Sequence, residues 1–301
     1  MQCSLQTQTA LCNEVANQTQ RRSPSVQCTS SRARWRQVVQ ATSSSSSSSQ
    51  QVEELPGPRN AFVPGQESES RRQLFNRISP VYDELNDRLS LGQHRVWKRM
   101  AVKWCGAAPG QRALDVCCGS GDLAMLLAAA VGQSGSVTGL DFAADMLQDA
   151  SSREAAAAAD APWQRPAKVS WVQGDALELP FEAASFDAAT MGYGLRNVAD
   201  IPRALAELHR VLVPGGKCAV LDFNNSSQPL VDSLQGLLLE QVVVPAAASY
   251  GLGDEYRYLR PSIKRFPTGR EQEQLARQIG FRQAMHYEIG FGMMGCLVAT
   301  K

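Results

Sequence analysis

From Arg112 onward, short apolar runs alternate with longer stretches of helical spacing. "RALDVC" and "SVTGLD" are rich in strand formers, and each is followed by helical material, "LAMLLAAAV" and "AADMLQDAS". The pattern continues with the strands "AKVSWVQ" and "FDAATM", the helix "IPRALAELHRVL" and the strand "KCAVLDF". Two candidate strands, "FRQAMHYEI" and "GCLVAT", close the chain, joined through Gly290 to Gly295. Strands alternating with helices predict an α/β fold: a mostly parallel sheet with helices on both faces and a C-terminal antiparallel addition at one edge. Ligands of such sheets sit beyond the carboxyl ends of the strands, where the strand order switches. Here those ends carry Asp115–Gly121, Asp141, Asp175 and Gly192–Asn197.

The first 50 residues break this pattern. They hold twelve Ser, five Arg and one acidic residue, Glu14. That composition suits an organellar transit peptide, or else a low-complexity tail without an address. Serine outweighs any amphipathic Arg helix, which favours a chloroplast over a mitochondrion, although "RARWRQVV" keeps the latter open. "LPGPRNAFVPG" reads as a linker, so residues 1–65 are expected to be transit peptide and linker, with the folded domain over 66–301.

Charge and cysteine usage narrow the function. Residues 1–60 carry a net +3 of the chain's total +1, which leaves the body slightly acidic and a poor match for nucleic acid. The eight cysteines show no CxxC pair and no zinc spacing, so no metal is expected; Cys117 and Cys118 read as small strand-buried hydrophobes. The apolar stretch Leu230 to Tyr250 is interrupted by Asp232, Gln235, Glu240 and Pro245, and reads as a helix packed on the body rather than one on a membrane surface.

Gly119-x-Gly121-x-x-Ala124, with Asp141 about 20 residues on, formally matches a dinucleotide fingerprint. Charge argues against a diphosphate there. Asp115 ends the strand and Asp122 opens the helix, and two carboxylates beside a diphosphate would repel it by roughly 1 kcal/mol or more per pair. The same groups favour a cationic ligand with an adenosine ribose and no phosphates: S-adenosylmethionine. Asp141 is then placed to accept the ribose hydroxyls, Asp175 the adenine amino group, and Ala176 and Met191 to touch the ring. Asp122 as a first-turn helix charge and Asp141 as an N-cap are the structural alternatives.

"LDVCCGSGDLA", "GLD", "GDALELPF", "FDAATMGYGLRNV" and "VLVPGGK", with "YDELNDRLSLGQHRVWK" upstream, together resemble the UbiE/MenG family of quinone-biosynthesis C-methyltransferases over about residues 70–301. "MGYGLRN", "LDFN" and "EYRYLRPSI" look like its chloroplast branch. Val213, where a Lys is common, and Asp222 and Asn224, where Glu and Ser are frequent, depart from the broader pattern. The resemblance implies a seven-stranded class I methyltransferase fold using S-adenosylmethionine. It further implies methylation of a prenylated naphthoquinol, 2-phytyl-1,4-naphthoquinol, in phylloquinone synthesis. A benzoquinol of the ubiquinone pathway in mitochondria, a nicotinamide oxidoreductase and a non-catalytic scaffold are the rivals.

Under that reading the donor site comprises Tyr82, Asp115, Gly119, Ser120, Gly121, Asp122, Asp141, Asp175, Ala176 and Gly192. The acceptor carbon becomes nucleophilic when a neighbouring hydroxyl ionises; with a phenol-like pKa of roughly 10 this costs about 3.4 kcal/mol near pH 7.5. Arg196 is the candidate cation for the quinolate, or else a structural partner of a body carboxylate. Asn197 would orient the ring or Arg196, or cap a helix; His94 could take the proton, or pack with Trp97; Tyr193 could close over the ring. Peripheral membrane contact through residues 230–248 would serve the phytyl tail, with the "SYGLGDEYRYLRPSI" stretch after it as a mobile lid. Oligomeric state is left open.

Overall fold

The computed structural model describes residues 90, 92–161 and 166–301. Tyr82 and the expected transit segment and linker lie outside the described residues. Seven strands are present: β1 (Arg112–Val116), β2 (Ser136–Asp141), β3 (Val169–Gln173), β4 (Phe186–Gly192), β5 (Leu212–Phe223), β6 (Gln283–Ile289) and β7 (Met294–Thr300). They form one sheet in the order β3-β2-β1-β4-β5-β7-β6. β1 to β5 pair in parallel, and β7 runs antiparallel between β5 and β6. The strand order therefore reverses between β1 and β4, where the first Gly-rich turn leaves the sheet. β5 begins five residues before the expected "KCAVLDF", because Leu212 already pairs with Phe186 across an irregular step in register.

Alternation within the strands divides the core into two layers. Leu114 and Val116 of β1 point to one side with Met191, Leu205, Leu208 and Val220, whereas Ala113 points to the other with Leu123, Leu127, Ala219 and Leu221. On that second side lie helices α1 (Gln93–Cys105) and α2 (Asp122–Val131); α3 (Ala144–Asp160) follows β2. α4 (Ile201–Val211) covers the first side, burying Ala204, Leu205, Leu208 and Val211 as a single helical stripe. Its start is set by Asp200, whose side chain accepts from the Arg203 N–H, and by Pro202 in the first turn.

The apolar segment forms α5 (Pro229–Leu238), a π-helical turn (Leu239–Val243) and α6 (Val244–Ala248) without a break. This corrects the expectation that its polar residues interrupt it; its inner side packs onto the body as expected. Asp232 pairs with Arg260 and Lys264, and Gln235 donates to the carbonyls of Asn224 and Met293, so these two polar groups turn inward, while Glu240 stays exposed. The wide π turn precedes Pro245 and accommodates its missing N–H. Leu230, Leu234, Leu237, Leu238 and Val242 are consequently left exposed, Leu230 to 87%. By length and composition this helix is long and apolar enough to cross a membrane. Short helices α7 (Gly253–Arg257) and α8 (Leu259–Arg265) follow, then α9 (Gly269–Ile279), started by a reciprocal capping box between Thr268 and Glu271.

Candidate active site

At the carboxyl ends of β1, β2 and β4 lies a cleft of about 980 Å³, including its open mouth. One end is lined by Asp141, Phe142, Met146, Asp175, Ala176 and Leu177, the other by Tyr193, Gly194, Asn197, Val198 and Ala199, with Cys117 and Gly119 between. Two of these residues, Cys117 and Tyr193, sit at left-handed φ values of 55° and 58° directly after adjacent strands. Such strain in residues with side chains is held by surrounding structure and clusters at functional sites. A close approach explains Gly194: a Cβ there would fall 2.5 Å from that of Cys117.

The glycine loop is tied to the second strand by one carboxylate. Asp141 Oδ2 accepts from the Gly119 N–H at 2.9 Å and Oδ1 from the Ala143 N–H at 3.0 Å. Burial raises its pKa against these two bonds. Each carboxylate oxygen keeps a second lone pair, which can face a hydroxyl in the cleft. Gly121 turns into α2 at φ 87°, and a Cβ there would meet the Trp171 ring at 2.6 Å.

Asp115 is completely buried beside this loop. Register aligns it with Thr190 on β4, whose Oγ1 donates to Asp115 Oδ1 at 2.7 Å, while Oδ2 has no hydrogen-bond partner. Burial pushes its pKa up to about 7, opposed by Thr190, by the nearby backbone N–H of Ala124 and by the field of Lys98. A buried carboxylate oxygen without a donor is costly unless something positively charged reaches it.

Several expectations are corrected here. Asp122 is not an unopposed carboxylate: it lies 2.6 Å from both Lys98 Nζ and Arg153 Nη2. Burial alone would raise its pKa, yet the two cations hold it below the ordinary range. Arg196 does not present its guanidinium to the cleft. It is buried against Asp222, donating through Nε at 3.1 Å, and through Nη1 to Asn197 Oδ1 at 3.2 Å and to Ser262 Oγ. The structural reading of Arg196 is the one the packing follows, because β5 lies beside β4 and brings Asp222 under the turn. His94 is buried in α1, its Nδ1 2.9 Å from Ser90 Oγ, and does not line the cleft. Cys117 is not strand-buried but lines the cleft, its thiol pushed well up by burial and by neighbouring carboxylates.

Gly119, Asp141, Asp175, Ala176, Tyr193 and Asn197 thus meet in one cleft, with Asp175 exposed at its rim and donating nothing but accepting from the Leu177 N–H. Asp115, Ser120, Gly121, Asp122, Met191 and Gly192 do not line it. Asn197 donates from Nδ2 to the Tyr193 carbonyl and so closes the turn on itself. Phe142, Met146, Leu177 and Val198 line the cleft and escaped the sequence reading. Position alone could have found the first two, since Phe142 directly follows a strand-end acid and Met146 lies one helical turn further. Among the described residues no group of three or more His, Cys, Asp or Glu side chains is placed to hold a metal ion.

Comparison with known proteins places this geometry. The model of the ubiE/COQ5 methyltransferase family matches residues 65–301. A 2-phytyl-1,4-naphtoquinone methyltransferase of Nostoc punctiforme is 56% identical over 230 residues, 76% of this chain and 97% of that protein. The chloroplastic 2-phytyl-1,4-beta-naphthoquinone methyltransferase of Arabidopsis thaliana is 53% identical over 234 residues, 78% of this chain and 88% of its own. Among solved structures, a SAM-dependent methyltransferase from Thermotoga maritima superposes with a TM-score of 0.53 at 22% identity, covering 76% of this chain and 99% of its own, a likeness of fold.

Proposed function

The chain belongs to the ubiE/COQ5 methyltransferase family and is an S-adenosylmethionine-dependent methyltransferase, and we propose that it methylates the ring of reduced 2-phytyl-1,4-naphthoquinone, the methylation step of phylloquinone synthesis. The observation that carries the acceptor is the 56% identity that spans 97% of a relative named for that substrate.

The residues of the cleft, with Asp115 buried beside its glycine loop, fit the donor. S-adenosylmethionine supplies a methyl group on a sulfonium whose thioether leaves neutral, so the protein's task is placement. Asp115 Oδ2, buried without a hydrogen-bond partner, is the acceptor for the donor's ammonium. Asp141 holds the glycine loop and offers its remaining lone pairs to the ribose. Phe142, Met146, Ala176 and Leu177 form apolar walls for the adenine, with Asp175 at the edge for its amino group. Tyr193, Gly194, Asn197 and Val198 then face the acceptor ring. In-line placement of two bound reactants supplies on the order of 7–11 kcal/mol, more than the roughly 3.4 kcal/mol that ionising a quinol hydroxyl requires.

The test is transfer of labelled methyl from S-adenosylmethionine by the full chain to 2-phytyl-1,4-naphthoquinone, with and without a reductant. Product only with the reductant is the expected result. Donor binding without transfer, followed by transfer to a benzoquinol, would overturn the acceptor assignment. The Ser-rich first 64 residues, which precede the family match, and the chloroplastic relative support a plastid address. Import of the full chain into isolated chloroplasts with loss of that segment checks it, and retention outside refutes it.

A phytyl tail partitions into bilayers, and the exposed row Leu230, Leu234, Leu237 and Val242 supports peripheral contact of this face with a membrane. Phe291, 93% exposed, extends it: the neighbouring Gly292 lies against Val231. The full chain is expected to cosediment with phosphatidylcholine vesicles, and L234D/L237D to reduce partitioning by at least about 100-fold, since each buried leucine contributes about 1.5–3 kcal/mol. Wild-type protein that stays in the supernatant would remove the proposal.

A further inference from the structure

We infer that Lys98 holds the carboxylate of the donor's amino-acid end, a contact that rests on the donor reading above. Lys98 projects from α1 and is buried, its side chain only 7% exposed. Its Nζ lies 2.6 Å from Asp122 Oδ2 and 6.0 Å from the centroid of the Tyr193 ring, which lines the cleft. An ammonium has three N–H donors and Asp122 takes one of them.

Asp122 is shared: its Oδ1 accepts from Arg153 Nη2 at 2.6 Å, and Arg153 Nη1 also donates to the Ser120 carbonyl at 2.7 Å. Lys98 and Arg153 thus both pair with the one carboxylate of Asp122 at the head of α2. Asp115 lies within the field of Lys98, and its Oδ2 makes no hydrogen bond. An amino-acid end carries an ammonium and a carboxylate on the same carbon. Asp115 matches the first and Lys98 the second, so a zwitterion satisfies both at once. Neither a free amine nor a neutral thioether end would do so. Lys98 is therefore a specificity residue for donors and products that keep the α-carboxylate, and Asp122 anchors its ammonium from behind.

The experiment measures binding to the full chain by calorimetry, using S-adenosylhomocysteine, its decarboxylated analogue and 5′-methylthioadenosine, which lacks the amino-acid end. Wild type is expected to bind S-adenosylhomocysteine roughly 10- to 100-fold more tightly than the decarboxylated analogue, the range of one charge-assisted hydrogen bond. K98M should erase that difference while changing 5′-methylthioadenosine affinity less than about 3-fold, and K98R should retain most of it. Arg153 still pairs Asp122 in K98M, so the loop keeps its anchor. Equal wild-type affinity for the two homocysteine analogues would overturn the inference even if K98M did not fold. A K98M that weakens all three ligands alike would also overturn it, assigning Lys98 to structure. If wild type binds none of the three, the donor reading itself has failed.

Discussion

Asparagine in place of Asp115 is expected to weaken S-adenosylhomocysteine binding by about 30- to 5,000-fold, the range for removing one partner of a buried hydrogen-bonded charge pair. Asparagine keeps an oxygen for the 2.7 Å bond from Thr190, so the loss reports the missing charge rather than a collapsed strand end. The pH dependence provides an independent check. Burial pushes the Asp115 pKa up to about 7 in the protein without donor. At pH 6 the carboxyl is then mostly protonated, and donor affinity should be on the order of ten-fold weaker than at pH 8, while D115N should be flat over this range.

Stability follows the opposite sign. A carboxyl whose pKa is raised on folding contributes stability that is fully present below its unfolded value and is lost as pH rises through about 7. The ammonium of a bound ligand offsets that loss. The rise in Tm on adding S-adenosylhomocysteine should therefore grow between pH 6 and pH 8. A ligand-induced shift independent of pH, in wild type and D115N alike, would show that Asp115 does not meet the ammonium.

The second large effect concerns the turn on the acceptor side. R196M should destabilise the protein by about 3–5 kcal/mol, because it leaves Asp222 buried without its cation. For a domain of this size that is a drop in Tm of roughly 6–20 °C. Adding D222N removes the stranded charge and keeps an acceptor oxygen, now placed to serve the Phe223 N–H or the backbone N–H at position 196. Much of the lost stability should return in R196M/D222N. Activity should not return with it. Arg196 also donates to Asn197, and through Ser262 it joins the turn to α8. The double variant is expected to show at least a ten-fold lower kcat/KM for the quinol, with donor affinity unchanged. A double variant as active as wild type would mean that the ion pair serves stability alone.

The sequence by itself determined where the cleft would lie. Short β-forming runs separated by helices can bury their apolar faces only as a parallel sheet with helices on both sides, and such a sheet brings its carboxyl ends together. Asp115, Asp141, Asp175 and the 193–197 turn were therefore legible as neighbours from local pattern alone. The apolar row of α5 was written in the chain as well, but the polar residues between its leucines suggested interruption. Only packing revealed that Asp232 and Gln235 have partners on the inner side.

What tertiary structure alone decided are the pairings between distant charges. For Arg196 the sequence left open a cation facing substrate or a partner of a body carboxylate, and it is buried against Asp222, 26 positions later, because β5 lies directly beside β4. Asp122 was read as a carboxylate favouring a cationic ligand or as a first-turn helix charge, and the fold brings two cations of its own, Lys98 from α1 and Arg153 from α3. Period-two and period-3.6 patterns report which face of an element is apolar. They carry no information on which charged group another element will place opposite, since that depends on strand order and helix docking. Whether an ionisable side chain acts on a ligand or is neutralised by a neighbour is settled at that level of the fold.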